Sequence, residues 1–223
     1  MADLYTHHRV MCAPRRWQAV ADAFKTGSAD RLAAEGGVLY GVWRSQIGTP
    51  RDELNVITAW PTGTATDTAK ATALLSEGVA DVRSVESVSM TPTLRPERID
   101  PPQRQGNFAF RWFETPTKHW PEFLDLCAGA WPGFESSYDS QVIGLWQTDN
   151  LPGGGHQDDT VRSLLLTRRP DLAMWERSKI PANPEEEEVR RKLSRRYDLC
   201  EWTMVYTTTL LTAKDREDTA RWT

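Results

Sequence analysis

The sequence predicts an α+β fold built from two tandem ferredoxin-like units, each with the element order βαββαβ. Three observations carry that expectation. The chain repeats itself: Trp17, Asp22, Gly41 and Trp43 recur 103 residues later as Trp120, Asp125, Gly144 and Trp146, and self-similarity at a fixed offset marks duplicated units. Apolar character follows the same offset, pairing Tyr5 with Phe108, Val10 with Phe113, Val20 with Phe123 and Val42 with Leu145. Between the copies, TPTLRPERIDPPQRQG (Thr91 to Gly106) is proline-rich and polar, which reads as an extended connection. The expected boundaries are a first unit over residues 1–94, a linker over 95–106, a second unit over 107–212 and a polar tail over 213–223.

In the first unit, YTHHRVM (Tyr5 to Met11) is rich in strand formers. PRRWQAVADAF (Pro14 to Phe24) has Pro at its head and Trp17, Val20, Ala21 and Phe24 at helical spacing. VLYGVWRSQ (Val38 to Gln46) and LNVITAW (Leu54 to Trp60) are strands joined by a Gly-, Pro- and Asp-containing turn, hence a hairpin. DTAKATALLSEG (Asp67 to Gly78) is a helix between an Asp cap and a Gly stop, and VRSVESVSMT (Val82 to Thr91) is the closing strand. The second unit has strands FAFRWFE (Phe108 to Glu114), QVIGLWQT (Gln141 to Thr148), TVRSLLLT (Thr160 to Thr167) and CEWTMVYTTTLL (Cys200 to Leu211), with a helix over WPEFLDLCAGA (Trp120 to Ala130). LPGGGHQDD (Leu151 to Asp159) lengthens a loop, beyond which LTRRP (Leu166 to Pro170) matches ITAWP (Ile57 to Pro61). In PEEEEVRRKLSRRY (Pro184 to Tyr197) acids fill the first turn and bases the last, as the helix dipole favours. Glu186–Arg190, Glu187–Arg191 and Glu188–Lys192 stand at i,i+4, so the run reads as a solvated helix face. A sheet covered by helices on one face keeps a second apolar face. Two such sheets can bury those faces against each other and close into a barrel, which also protects their edges.

Composition excludes several classes. A net charge of −4 and pI ≈ 5.6 argue against nucleic acid and anionic membrane surfaces, which reward clustered Lys and Arg. No apolar run approaches the ~18 residues of a membrane span, and the N-terminus lacks a basic-then-apolar leader. Cys12, Cys127 and Cys200 are three scattered thiols with no CxxC pair, which fits a reducing, cytoplasmic setting and buried packing roles. Tryptophan, at 10 residues, outnumbers Phe and Tyr, and its large area suits both cores and pockets for flat ligands. GGGHQDD (Gly153 to Asp159) lacks the Gly-Lys-Ser/Thr ending of a phosphate loop. His156 with Asp158 and Asp159 reads as a polar loop and not as a metal site.

GVWRSQIGTPRDELNVITAWP (Gly41 to Pro61) resembles the NIPSNAP family of the dimeric α/β-barrel superfamily, through Gly41, Trp43, Gly48 and Trp60. The resemblance covers the first unit; in the second, Gly144 and Trp146 remain but Arg169 stands where the first has Trp60. It implies two tandem ferredoxin-like βαββαβ units forming a dimeric-α/β-barrel pseudo-dimer, with further homodimerisation open. The superfamily includes cofactor-independent monooxygenases, isomerases and haem proteins, so the shared fold does not choose among them. Family members often place a His two residues before the hairpin Trp; here Thr58 and Thr167 stand there. The family's first strand commonly carries an Arg, kept as Arg111 and replaced in the first unit by His8.

Strand alternation puts His7 and His8 on opposite faces, so they cannot chelate one ion. Tyr5, His7 and Arg9 share a face and correspond to Phe108, Phe110 and Trp112. An unpaired buried His or Arg is costly, so this polar face is expected near a pocket in the first unit, between its sheet and helices. His7 would move a proton, Arg9 would hold an oxyanion, and Tyr5 would stand beside them. His8, taken to face the barrel interior, Trp43 and Arg111 would line ligand space. The functional expectation is a protein holding a small flat or apolar molecule, leaning to an oxygenase-like or isomerase-like enzyme without cofactor. The alternative is non-catalytic small-molecule binding, or haem held by His7, His8 or His119.

Overall fold

The structure is a computed structural model that describes residues 3–64, 66–148 and 159–216. The loop carrying His156 and Asp158 lies outside the described residues. The first unit comprises the described residues of Met1–Thr91, Arg98–Gln105 and Thr207–Thr223, and the second those of Pro92–Glu97 and Gly106–Tyr206. The expected breaks at 94/95 and 212/213 are therefore displaced. Two strands, β4 (Val82–Arg95) and β8 (Trp202–Leu210), contribute residues to both units. Linker and tail residues of the first unit are tied together: Lys214 N–H donates to the Gln103 carbonyl at 2.8 Å, and Gln105 N–H to Asp215 Oδ1 at 2.7 Å.

The first unit runs β1 (Leu4–Cys12), α1 (Trp17–Ala23), α2 (Ala29–Ala34), β2 (Val38–Ile47), β3 (Glu53–Trp60), α3 (Thr68–Ser76) and β4. The helix expected to end at Phe24 continues through a π-helical turn (Phe24–Ser28) into α2. The chain leaves it only at Gly36, with φ +79°. Asp67 caps α3 by accepting from Lys70 N–H at 2.7 Å. The strand order is β4-β1-β3-β2, followed by the C-terminal part of β8, with antiparallel pairing throughout the described ladders. Val10, Val42, Leu54 and Val56 turn one sheet face toward Trp17, Val20, Phe24 and Leu75 of the helices.

The second unit runs β5 (Asn107–Pro116), α4 (Trp120–Tyr138), β6 (Gln141–Thr148), β7 (Thr160–Arg169), α5 (Leu172–Arg177), α6 (Pro184–Asp198) and β8. The expected helix over 120–130 extends to Tyr138 despite Pro132. A mid-helix proline costs about 3 kcal/mol, but Trp131 just before it and Phe134 and Tyr138 beyond it are all buried in the core with Phe113, Phe123 and Leu165, and burying aromatic side chains returns about 1.5–3 kcal/mol each. Helix α5, unforeseen from the sequence, is capped by Asp171, and α6 by Asn183 with Pro184 at its first position. The strand order is β8-β5-β7-β6-β4. Among the described residues no helix is long and apolar enough to cross a membrane.

The repeated Gly-x-Trp has a steric cause. A Cβ on Gly41 would stand 2.4 Å from the Trp43 ring, and one on Gly144 2.3 Å from the Trp146 ring. Each Trp folds back over the glycine two residues before it and is fully buried. At the same place in each unit the strand register shifts, between Leu39 and Gly41 and between Val142 and Gly144. Gly41→Ala and Gly144→Ala should each lower stability by about 1–3 kcal/mol through overpacking. Gly27→Ala, whose Cβ would meet nothing closer than 3.7 Å, should be neutral or stabilising. Urea unfolding midpoints of the three variants check this.

Candidate functional site

A cavity of about 320 Å³ opens in the second unit between the helix-facing side of its sheet and α4, α5 and α6. That is the lower end of the range for small-molecule sites. Strand alternation sends Leu165, Thr167 and Arg169 of β7 to this side together with Arg111 of β5. Trp131 and Phe134 face it from α4, Trp175 from α5, and Arg190, Leu193, Arg196 and Tyr197 from one face of α6. The expectation of a pocket in the first unit is not met by this cavity, which belongs wholly to the second.

Cations and rings alternate along the wall. The Arg169 guanidinium carbon lies 4.9 Å from the Phe134 ring centre and 4.8 Å from that of Trp175. Arg111 lies 5.9 Å from Trp175 and 5.4 Å from Tyr197. Arg196 lies 5.4 Å from Tyr197 and 4.8 Å from Phe113. Each such contact contributes about 0.5–2 kcal/mol and offsets part of the cost of dehydrating a guanidinium. None of the three has a carboxylate partner among the described residues. Arg169 donates to Thr167 Oγ1 at 3.3 Å and Arg196 to Cys127 Sγ at 3.4 Å, while the buried Nε of both has no partner. Burial first, and the Arg111 charge second, bring the Arg169 pKa down to about 10. Burial likewise lowers that of Arg111. Both stay cationic at neutral pH.

Arg111 is the sequence-derived ligand residue that lines this cavity; the other five lie in the first unit. His8 occupies the position equivalent to Arg111 and faces the helices, not the barrel interior assigned to it from sequence. Its Nδ1 shares a hydrogen bond with Ser87 Oγ at 2.8 Å and its Nε2 one with Thr58 Oγ1 at 3.1 Å, and Ser87 in turn meets Thr72 of α3. His7 Nε2 donates to Asn55 Oδ1 at 2.9 Å, and Asn55 Nδ2 to Glu53 Oε1 at 3.4 Å. Arg9, expected to hold a ligand oxyanion, is held by Glu53 at 2.7 Å and by Glu86 at 3.3 Å. Tyr5 is buried edge-on to Tyr40 at 5.4 Å, and burial raises its pKa. Trp43 is buried over Gly41. Tyr5, His7, Arg9 and Trp43 lie on the sheet face turned away from the helices, which is where the first-unit expectation of a sheet–helix pocket parts from the geometry.

The α6 charge run also departs from a simple solvated face. Glu188 does meet Lys192, at 3.5 Å, but Glu186 turns to Arg177 at 2.8 Å and to the Ala182 amide, leaving Arg190 toward the cavity. Arg190, Leu193, Arg196 and Tyr197 have helical spacing; the arginines among them masked an inward face. Arg169 standing where the first unit has the core residue Trp60 was the other available signal.

A histidine-ligated haem needs an imidazole nitrogen aimed into open volume. Among the described residues no histidine lines this cavity, His7 and His8 spend ring nitrogens on hydrogen bonds, and half-buried His119 begins α4 outside it. The described residues do not fit such a haem. No group of three or more metal-ligating side chains occurs among the described residues.

No family model matches this chain, and no curated protein does either. Solved structures do match over nearly the whole length. An anthrone oxidase-like protein aligns with TM-score 0.61 and 14% identity, over 99% of this chain and 97% of its own. A provisionally assigned monooxygenase from Lactobacillus acidophilus NCFM aligns with TM-score 0.59 and 11% identity, over 96% and 98%. A variant of chlorite dismutase from Candidatus Nitrospira defluvii gives 0.57 and 9%, over 93% and 90%. At such identities the likeness establishes fold alone: the chain has the dimeric α/β-barrel fold of two ferredoxin-like units.

Proposed function

We propose that this chain is a NIPSNAP-like, oxygenase-like protein that holds a small flat organic molecule in the cavity of its second unit. The observation that carries the reading is the wall of rings, Trp131, Phe134, Trp175 and Tyr197, around about 320 Å³. Aromatic faces hold a planar frame by dispersion and offset stacking, and the volume suits one or two fused rings. The oxygenase-like element is supported by the fold shared with proteins bearing those names, and the NIPSNAP-like element by Gly41, Trp43, Gly48 and Trp60. Non-catalytic binding is the second reading. One observation favours it: among the described residues no His, Cys, Asp or Glu lines the cavity, and its Lys179 is paired with Glu176 at 2.6 Å.

Titration with two-ring aromatic molecules should quench tryptophan emission saturably. Trp175→Ala should weaken binding about tenfold, equivalent to ~1.4 kcal/mol. Absence of saturable binding, or indifference to Trp175→Ala, contradicts the assignment. Dioxygen uptake in the presence of a bound molecule separates the two readings.

For the first-unit histidines we propose a neutral, structural role. Burial is the main cause that lowers His7 to about 4 and His8 to about 3. Between those values and the unfolded value near 6.5 the unfolded chain binds more protons, so stability rises with pH there and falls on acidification. Urea midpoints should drop between pH 7 and pH 5, and His8→Gln should flatten that slope. An unchanged slope would show that His8 titrates alike in both states.

A further inference from the structure

The same cavity has a second property that shape alone does not explain. The chain is acid-rich, with 31 Asp and Glu against 27 Lys and Arg. Elsewhere several of its arginines meet acids: Arg9 pairs with Glu53 at 2.7 Å, Arg95 with Glu135 at 2.7 Å, Arg162 with Glu114 at 3.6 Å and Arg177 with Glu186 at 2.8 Å. Arg111, Arg169 and Arg196 converge on one cavity with no carboxylate among its described lining, and Arg190 joins them from α6. Arg196 is 3% exposed and Arg169 9%. Burying several like charges without a counter-charge is costly. Ring contacts recover part of that cost but leave fork-like N–H donors unspent.

Resting on the flat-molecule reading above, we infer that the molecule is an aromatic carboxylate, its carboxylate seated among Arg111, Arg169 and Arg196 and its ring frame against Trp175 and Phe134. The guanidinium fork matches a planar carboxylate in two parallel hydrogen bonds. The apolar faces beside it require a hydrocarbon frame, which an inorganic anion lacks. A bound carboxylate supplies the negative charge that the fold itself withholds. It would also offset the burial and, second to it, the repulsion from Arg111 that together pull Arg169 below the usual guanidinium range.

The test is calorimetry with 2-naphthoate and its neutral isostere 2-naphthamide. The expected result is at least tenfold tighter binding of naphthoate, weakening as salt rises. Arg169→Gln and Arg111→Gln should bring the two ligands within twofold of each other, with folding checked by circular dichroism. Should either variant fail to fold, Arg190→Gln, at a half-buried position, should lower naphthoate affinity at least threefold and leave naphthamide unchanged. Equal affinity of the two ligands for the unaltered protein overturns the carboxylate inference and leaves the flat-molecule reading standing. Displacement of naphthoate by equimolar inorganic phosphate also overturns it. Failure of both ligands and of the wider two-ring panel to bind overturns the reading beneath it as well.

Discussion

Three guanidinium groups interleaved with aromatic rings, and faced by no carboxylate among the described residues, are the constraint around which the second unit is organised. Such an arrangement has to be over-determined by its surroundings, because dehydrated like charges repel. The surroundings are substantial. Helix α4 brings Trp131 to the wall and continues through Pro132 to bring Phe134 there, α5 supplies Trp175, and α6 turns Arg190, Leu193, Arg196 and Tyr197 inward. Glu186, which could have neutralised Arg190 from one turn away, is spent on Arg177 and the Ala182 amide.

The first unit shows what the same framework does when no cavity is kept at those positions. Its counterpart of Arg111 is His8, a neutral imidazole bonded to Ser87 and Thr58. Its counterpart of Arg169 is Trp60, buried with Leu32 and Ala71 and lying so close to Gly37 that a Cβ there would stand 2.6 Å from the ring. One unit packs and hydrogen-bonds these positions; the other opens them and charges them. Both keep the Gly-x-Trp bulge at which the strand register shifts, so the two units differ on the cavity side and not in this part of the scaffold.

Most of the scaffold was legible in the sequence, because duplicated Trp, Gly and Asp positions and period-2 and period-3.6 patterns are local signals. The helix ends were less so. Nothing local announces that Trp131, Phe134 and Tyr138 will outweigh Pro132, since that depends on Phe113 and Leu165 arriving from distant strands. The site was legible only in fragments. The contrast of His7 and Arg9 with Phe110 and Trp112 drew the expectation to the first unit, yet Arg9 finds two acids and His7 an asparagine. Arg111, singled out from its strand position, lies on the cavity wall, and the Trp60-to-Arg169 exchange was visible without its place there. A charge run such as that of α6 shows its inward face only once it is known which acids have been claimed elsewhere.

The most direct measurement is a crystal structure of the protein grown with 6-bromo-2-naphthoate, its ring position fixed by the anomalous signal of bromine. The expected result is one bromine site against Trp175 and Phe134, with the carboxylate hydrogen-bonded to Arg111 and Arg169. A ligand bound only elsewhere, with the second-unit cavity unchanged, would contradict the account.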